Sequence, residues 1–409
     1  MTRLSGRAAL AGMASPRTVV VIGRPHRIVD IIHNLERVEG LTVYSCSVEG
    51  DRIEHMTQTP DTAIVYANAE QCAQAVRTAA RTGAGSVIIE AAGFAESSAN
   101  GRALEQELVA TAREVGVRLL GPNSLGVYNG SRNLTTAPFP MPDLAAGSAS
   151  LVVQSGVMAG GLLAEVMKQG HFRLRTMISL GGRVDLDEID CFSYLEHDDG
   201  THAVGCYFEN VGASTRFARA LGRLAAKKPV VAMLGGRTEA GSQAASRHIG
   251  RKGASVDRVR AILDEVGVPI VDRLRDLLEV TGAVAQAPKY RLPRRPSVAV
   301  VTLTGSGAVA LVDTLADWSC SLAALSPETT SRLEQVLPTW LPVGNPVDLW
   351  PSVVNGQGMA AFRDSLLATA SDAHVDAIVA IVPVWGETSA LDDFRTAVLE
   401  TSPDKPLIL

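Results

Sequence analysis

Short β-branched runs alternate along this chain with longer stretches in which apolar residues recur every three or four positions. That alternation predicts parallel strands joined by helical crossovers, because strands buried on both faces read as continuous apolar runs. Strands are expected at Thr18–Ile22, Leu41–Cys46, Thr62–Ala67, Ser86–Glu90 and Val117–Leu120. Helices are expected at Arg27–Val38, Glu70–Thr82 and Leu104–Val115. A second series of strands reads at Ser150–Gln154, Arg175–Ser179, Ala203–Phe208 and Pro229–Met233. Two proline-containing segments, Thr136–Ser148 and Pro288–Pro296, predict linkers between blocks. The expectation is an α/β chain of three doubly wound domains, at 17–146, 149–287 and 297–409. The third is expected to be incomplete, since the terminal PDKPLIL reads as a strand just entering a core.

Length agrees with several domains, because 409 residues exceed what one hydrophobic core serves. Basic residues number 38 against 43 acidic ones, and the net charge of −5 argues against a nucleic-acid or membrane-surface partner. Cys46, Cys72, Cys191, Cys206 and Cys320 are scattered with no CxxC pair. They read as small core residues of a reducing, cytoplasmic protein, and no metal site is expected. The N-terminal MTRLSGRAALAGMASPR has basic residues and a short apolar patch, but Pro16 and Arg17 interrupt it, so a secretory leader is not expected. No apolar run approaches the length of a membrane span.

Candidate chemistry sits at strand ends. LVVQSGVMAGGLLAEVMKQG, from Leu151, and VAVVTLTGSGAVALVDTLADWS, from Val298, share one layout: apolar strand, small glycine-containing turn, apolar-faced helix. Each would aim a helix N-terminus at the carboxyl edge of a sheet, where backbone N–H groups and the helix dipole favour phosphate. An ordinary strand-to-helix turn would read the same way. His248 stands in EAGSQAASRHIGRKGAS, from Glu239, among glycines and small polar residues. That is no core environment, and a neutral imidazole is a competent phosphoryl acceptor near neutral pH. Glu209 ends the strand GCYFE and would orient one ring nitrogen while the other attacks, or would be a solvated strand-end acid. Asp185, Asp187, Glu188 and Asp190 precede or open a helix, so pairing with its N-terminal dipole is preferred over metal binding. Asp348 is expected to cap a turn or to shape a loop.

Seven stretches carry a resemblance in matching order. They are AAGFAE (Ala91–Glu96), LLGPNSLGVYN (Leu119–Asn129), VVQSGVMAGGLL (Val152–Leu163), SLGGRVDLDEIDCFSYLEHD (Ser179–Asp198), GCYFENV (Gly205–Val211), LGGRTEAGSQAASRHIG (Leu234–Gly250) and VGNPVDLW (Val343–Trp350). Together they resemble the NDP-forming acyl-CoA synthetases, relatives of succinyl-CoA synthetase. The resemblance implies a Rossmann-like CoA-binding domain followed by two flavodoxin-like domains, the first of them bearing a phosphohistidine loop. It implies that His248 carries a phosphoryl group, that Glu209 stabilises it, and that Ser155, Gly156, Gly305, Ser306 and Gly307 hold phosphate. It places CoA near Gly23, Arg24, Arg27, Asn68 and Asn123. The implied reaction is reversible and runs from acyl-CoA through acyl phosphate and phosphohistidine to ATP.

Nothing in the chain resembles an ATP-grasp domain. The resemblance therefore implies a separate β-type ATP-grasp subunit or fusion partner that holds ATP or ADP with Mg, in an oligomeric assembly. The first strand-to-helix turn departs from the family's Gly-Ala-Ser run: VVVIGRPHRIVD keeps only Gly23, with Arg24, His26 and Arg27 offering positive charge instead. That departure leaves a second reading, a non-catalytic or regulatory CoA-binding protein of the same fold. A third is an acyl or carbamoyl transferase with no phosphohistidine.

Overall fold

The computed structural model describes residues 3–51, 53–154, 156, 160–161, 172–209, 211–241, 243, 254–286, 292–293, 295–354, 358–383, 389–401 and 404–409. They form two compact units, 1–288 and 289–409.

Unit 1 holds two sheets. The first contains β1 (Thr18–Gly23), β2 (Thr42–Cys46), β3 (Thr62–Tyr66), β4 (Ser86–Ile89) and β5 (Arg118–Leu120) in the order β2-β1-β3-β4-β5, with every pairing parallel. All six residues of β1 are buried, as a central strand covered on both faces requires. Helices α1 (Gly6–Ala14), α2 (Val29–Glu36), α3 (Ala69–Arg81) and α4 (Ala99–Val115) accompany this sheet. The last begins five residues before its expected start, because Ser98 caps it by accepting the Gly101 N–H at 3.0 Å.

The second sheet has seven strands: β6 (Val127–Asn129), β7 (Leu134–Thr135), β8 (Ala146–Val153), β9 (Leu174–Ser179), β10 (Ala203–Phe208), β11 (Val230–Leu234) and β12 (Ile270–Val271), ordered β12-β11-β10-β8-β9-β6-β7. β6 and β7 are antiparallel additions at one edge, and they come from the stretch assigned by sequence to the first domain. Helices α5 (Glu188–Glu196), α6 (Thr215–Lys227), α7 (Val256–Glu265) and α8 (Leu274–Gln286) complete it. Phe192, Phe208 and Phe217 pack ring against ring, with centroids 5.7–6.3 Å apart, and fix β10 between α5 and α6.

Three expectations change here. First, the N-terminal apolar patch is a helix of the folded body. Ala9, Leu10 and Met13 of α1 are fully buried, and α1 packs on α5. The contact depends on Gly6, since a Cβ there would overlap the side chain of Asp190. Secondly, Thr136–Ser148 is a packed strap, not a linker. Ala137, Met141 and Leu144 are buried. Asn34 of α2 donates to the carbonyls of Ala137 and Phe139 at 3.1 and 2.9 Å and accepts from the Met141 N–H at 3.3 Å. Thirdly, the two sheets are tied together: Arg118 of β5 pairs with Asp185 at 2.9 Å and Asp190 at 3.3 Å and donates to the Leu4 carbonyl. We expect Asn34→Ala, which strands three backbone groups, two of them buried, to cost about 2–4 kcal/mol in denaturant unfolding of the full chain.

Unit 2 carries β13 (Ser297–Thr302), β14 (Ser321–Leu322), β15 (Val347–Asp348), β16 (Ala377–Ile381) and β17 (Leu407–Ile408), all paired in parallel about the central β13 and β16. Helix α9 (Gly305–Asp317) follows β13. The predicted linker 288–296 lies largely outside the described residues.

Candidate active site

Glu209 follows β10 at the carboxyl edge of the second sheet. Its backbone N–H donates to the side-chain Oε1 of Gln154 at 2.7 Å. Gln154, 7 % exposed at the end of β8, donates through its amide to the Glu188 carboxylate, which Arg183 also engages. One chain of side-chain contacts thus joins the end of β8, the strand end bearing Glu209, and the start of α5. Burial pushes the Glu188 carboxyl above its ordinary range, with Arg183 opposing the shift. Glu209 Oε2 is buried with no hydrogen-bond partner in the described structure. Burial and the nearby Glu209 charge also raise the Tyr207 phenol.

Described residues on either side of the histidine segment lie beside Glu209. A small cleft there is lined by Glu209, Val211, Gly235, Ala254, Val256 and neighbouring core residues. The Gly235 N–H bonds to the Phe208 carbonyl at 2.8 Å, and the Ala254 N–H to the Val211 carbonyl at 3.2 Å. The segment between β11 and α7 therefore leaves and returns beside Glu209. His248 lies inside it and outside the described residues, as does Ser155. Gly156 is described, in helical conformation after β8.

A second cleft, of about 450 Å³, opens at the carboxyl ends of β3 and β4. Arg27, Tyr66, Asn68, Glu70, Glu90 and Gly93 are among its lining residues. Gly23 closes β1 beneath it: a Cβ there would stand 2.5 Å from the Tyr66 carbonyl oxygen. Arg24 lies on the exposed turn next to it, and Asn123, with φ 54°, bonds through its N–H to the Ala91 carbonyl at 2.8 Å; neither belongs to that lining. In unit 2, Gly305, Ser306 and Gly307 open α9 behind Thr304, whose hydroxyl lies 3.2 Å from that of Ser306. Asp348 caps the following turn by accepting the Trp350 N–H at 3.0 Å.

The acidic cluster does structural work. Asp187 caps α5 in a reciprocal box with Asp190, while Asp185 and Asp190 pair with Arg118. Burial lifts the Cys46 thiol to about 11 and the Cys72 thiol to about 12, which makes both poor nucleophiles. Sequence reasoning passed over Arg183 and Glu90, and took Gln154 only as the start of a turn. Gln154 alone left a signal, a buried-strand polar residue directly before a small turn.

Two family models match in tandem. A CoA binding domain matches residues 6–130, and a succinyl-CoA ligase like flavodoxin domain matches residues 146–284. The chain is 28 % identical to the acetate–CoA ligase [ADP-forming] II subunit alpha of Pyrococcus furiosus, over 96 % of this chain and 88 % of that one. The chain belongs to the NDP-forming acyl-CoA synthetase family. Against the acetate–CoA ligase [ADP-forming] I of Archaeoglobus fulgidus, identity is 30 % over 82 % of this chain but 47 % of that relative, so the chain spans about half of this longer ligase. The fold superposes on a dinucleotide-forming acetyl-coenzyme A synthetase 1 of Ca. Korarchaeum cryptofilum, solved with phosphate and ADP, with a TM-score of 0.85 over 97 % of this chain and 88 % of that one at 22 % identity. The α/β class, with Rossmann-like and flavodoxin-like folds, is thereby that of the acyl-CoA synthetases. The CoA-domain match begins at residue 6, so it takes in α1, the helix that sequence reading left out. Among the described residues no helix is long and apolar enough to cross a membrane.

Proposed function

We propose that this chain is the acyl-CoA-handling component of an NDP-forming acyl-CoA synthetase. It interconverts acyl-CoA, phosphate and ADP with carboxylic acid, CoA and ATP, and a β-type ATP-grasp subunit supplies the nucleotide site. The observation that carries this reading is the anchoring of both ends of the His248-bearing segment beside Glu209.

The chemistry runs in three steps. A phosphate oxygen attacks the thioester carbonyl, and the C–S bond breaks to release the CoA thiol and leave acyl phosphate. A ring nitrogen of His248 then attacks phosphorus, an N–P bond forms, and the carboxylate departs. The other ring nitrogen keeps its proton and donates it in a hydrogen bond to Glu209, whose negative charge stabilises the phosphorylated imidazole. Finally the phosphoryl group passes to ADP on the partner subunit, where a magnesium ion would offset phosphate charge. In unit 1, Ser155 and Gly156 are the residues proposed to offer backbone N–H groups to phosphate; in unit 2, Gly305, Ser306 and Gly307 form a turn of the same proposed kind. Gly23, Arg24, Arg27, Asn68 and Asn123 are the residues proposed to hold CoA; of these, Arg27 lines the cleft as a cation suited to its phosphates. A cytoplasmic setting fits the five free cysteines.

The test is reconstitution. The full chain, mixed with an ATP-grasp β-type subunit, ATP, magnesium, CoA and a short carboxylic acid, should form thioester and ADP in equal amounts, and calorimetric titration of the chain alone should register CoA. CoA binding with no thioester under any acid supply would favour the regulatory reading instead.

A further inference from the structure

Glu90 follows the apolar run of β4, where a strand end in this fold faces ligand. It is 7 % exposed, and neither carboxyl oxygen has a hydrogen-bond partner in the described structure. Tyr128 on β6 is likewise buried, close enough to Glu90 for that carboxyl to bear on its phenol. Buried polar atoms without partners are costly and uncommon, and a ligand-facing cleft is where such an arrangement has a use. Glu90 lines the 450 Å³ cleft at the edge of the first sheet. Ala67, Ala69, Ala91 and Ala92 surround it with small apolar side chains. Arg27 is the cation of the lining, and it is exposed while Glu90 is enclosed.

We infer that Glu90 determines what this cleft accepts: its carboxyl group hydrogen-bonds an uncharged amide or hydroxyl of the bound ligand, and the ligand's anionic groups are held to the Arg27 end. The inference rests on reading the cleft as the CoA site. Burial raises the Glu90 carboxyl well above its ordinary range, a shift that favours the protonated form, which can donate as well as accept. The pantetheine arm of CoA carries two amides and a hydroxyl and no charge. Its phosphoadenosine end carries all the anionic groups. An enclosed, unpartnered carboxyl among alanines suits the first, and an exposed guanidinium suits the second. Glu90 is thus assigned as a specificity-determining residue that touches the arm.

The experiment is calorimetric titration of the full chain with three probes: CoA, pantetheine, and adenosine 3′-phosphate 5′-diphosphate, which lacks the arm. Glu90→Gln keeps a donor and an acceptor and should bind CoA within about threefold of the unmodified chain. Glu90→Met keeps the bulk but no hydrogen bond and should weaken CoA and pantetheine alike by about tenfold or more, while the arm-less nucleotide binds unchanged. Glu90→Ala serves as a second apolar variant should the methionine fail to fold. Apolar variants that bind CoA as the unmodified chain does would overturn the inference alone, as would a glutamine variant as weak as the methionine one. An equal loss on the arm-less nucleotide would also overturn it. If the unmodified chain binds neither CoA nor the nucleotide fragment, the CoA assignment of the cleft fails and the inference with it.

Discussion

Replacing His248 by alanine should abolish protein phosphorylation and lower turnover by on the order of a thousandfold or more, the scale seen when a covalent nucleophile is removed. The measurement is incubation of the full chain with its ATP-grasp partner, magnesium and γ-labelled ATP, followed by counting of acid-labile, base-stable label. The unmodified chain should take up close to one phosphoryl group, and the variant none. CoA titration of the same variant should be unchanged, because the first-sheet cleft is built from 27, 66–70 and 90–93, distant in sequence from the histidine segment. The expectation follows from how few candidates the described residues at the edge of the second sheet offer. Glu209 is already committed as an anionic group there, and Cys206 is fully buried with a strongly raised pKa. The proposed nucleophile is an imidazole on the segment whose described flanks, Gly235 and Ala254, line the cleft beside Glu209.

Glu209→Gln should slow the appearance of that label by about a hundredfold to a thousandfold, the range found when one preorganised electrostatic group is removed from a site. The substitution keeps the size of the side chain and the backbone bond to Gln154, so strand geometry is retained. What is lost is the negative charge proposed to face the imidazole, and with it the preference for one tautomer and the stabilisation of the phosphorylated ring. Single-turnover labelling at saturating ATP reads this directly. The rate should fall while the final extent of labelling falls less, since the nucleophile itself is intact. A wild-type rate in Glu209→Gln would remove the carboxylate from the mechanism.

Much of the fold was legible where local pattern and burial coincide. The run TVVVIG could only be a strand covered on both faces, and GCYFE placed Glu209 at the open edge of a sheet. Contacts between distant residues were not legible. Thr136–Ser148 reads as a linker from its three prolines, yet its carbonyls are held by Asn34, 103 residues from Ala137. Strand β6 pairs with β9, and β7 with β6, across a predicted domain boundary, a pairing that no periodicity encodes. GRAALAGMA is short, basic at one end and rich in glycine and alanine, so it gives a weak helical signal; its stability comes from burying Leu10 and Met13 against α5. In the site, Glu209 was visible because its position along a strand is local information. Gln154 and Glu188 were not, because their link spans 34 residues and depends on two strand ends and a helix start meeting. Glu90 was read as the last residue of a strand, but its enclosure depends on β3, β6 and the turn at Arg27 converging around it.

The most direct measurement is mass-spectrometric mapping of the phosphorylated full chain under alkaline conditions that preserve phosphoramidates. The phosphoryl group should be found on the peptide containing His248, and adding ADP with the ATP-grasp partner should discharge it as ATP. Phosphate located on any other side chain, or on none while thioester is still made, would contradict the account.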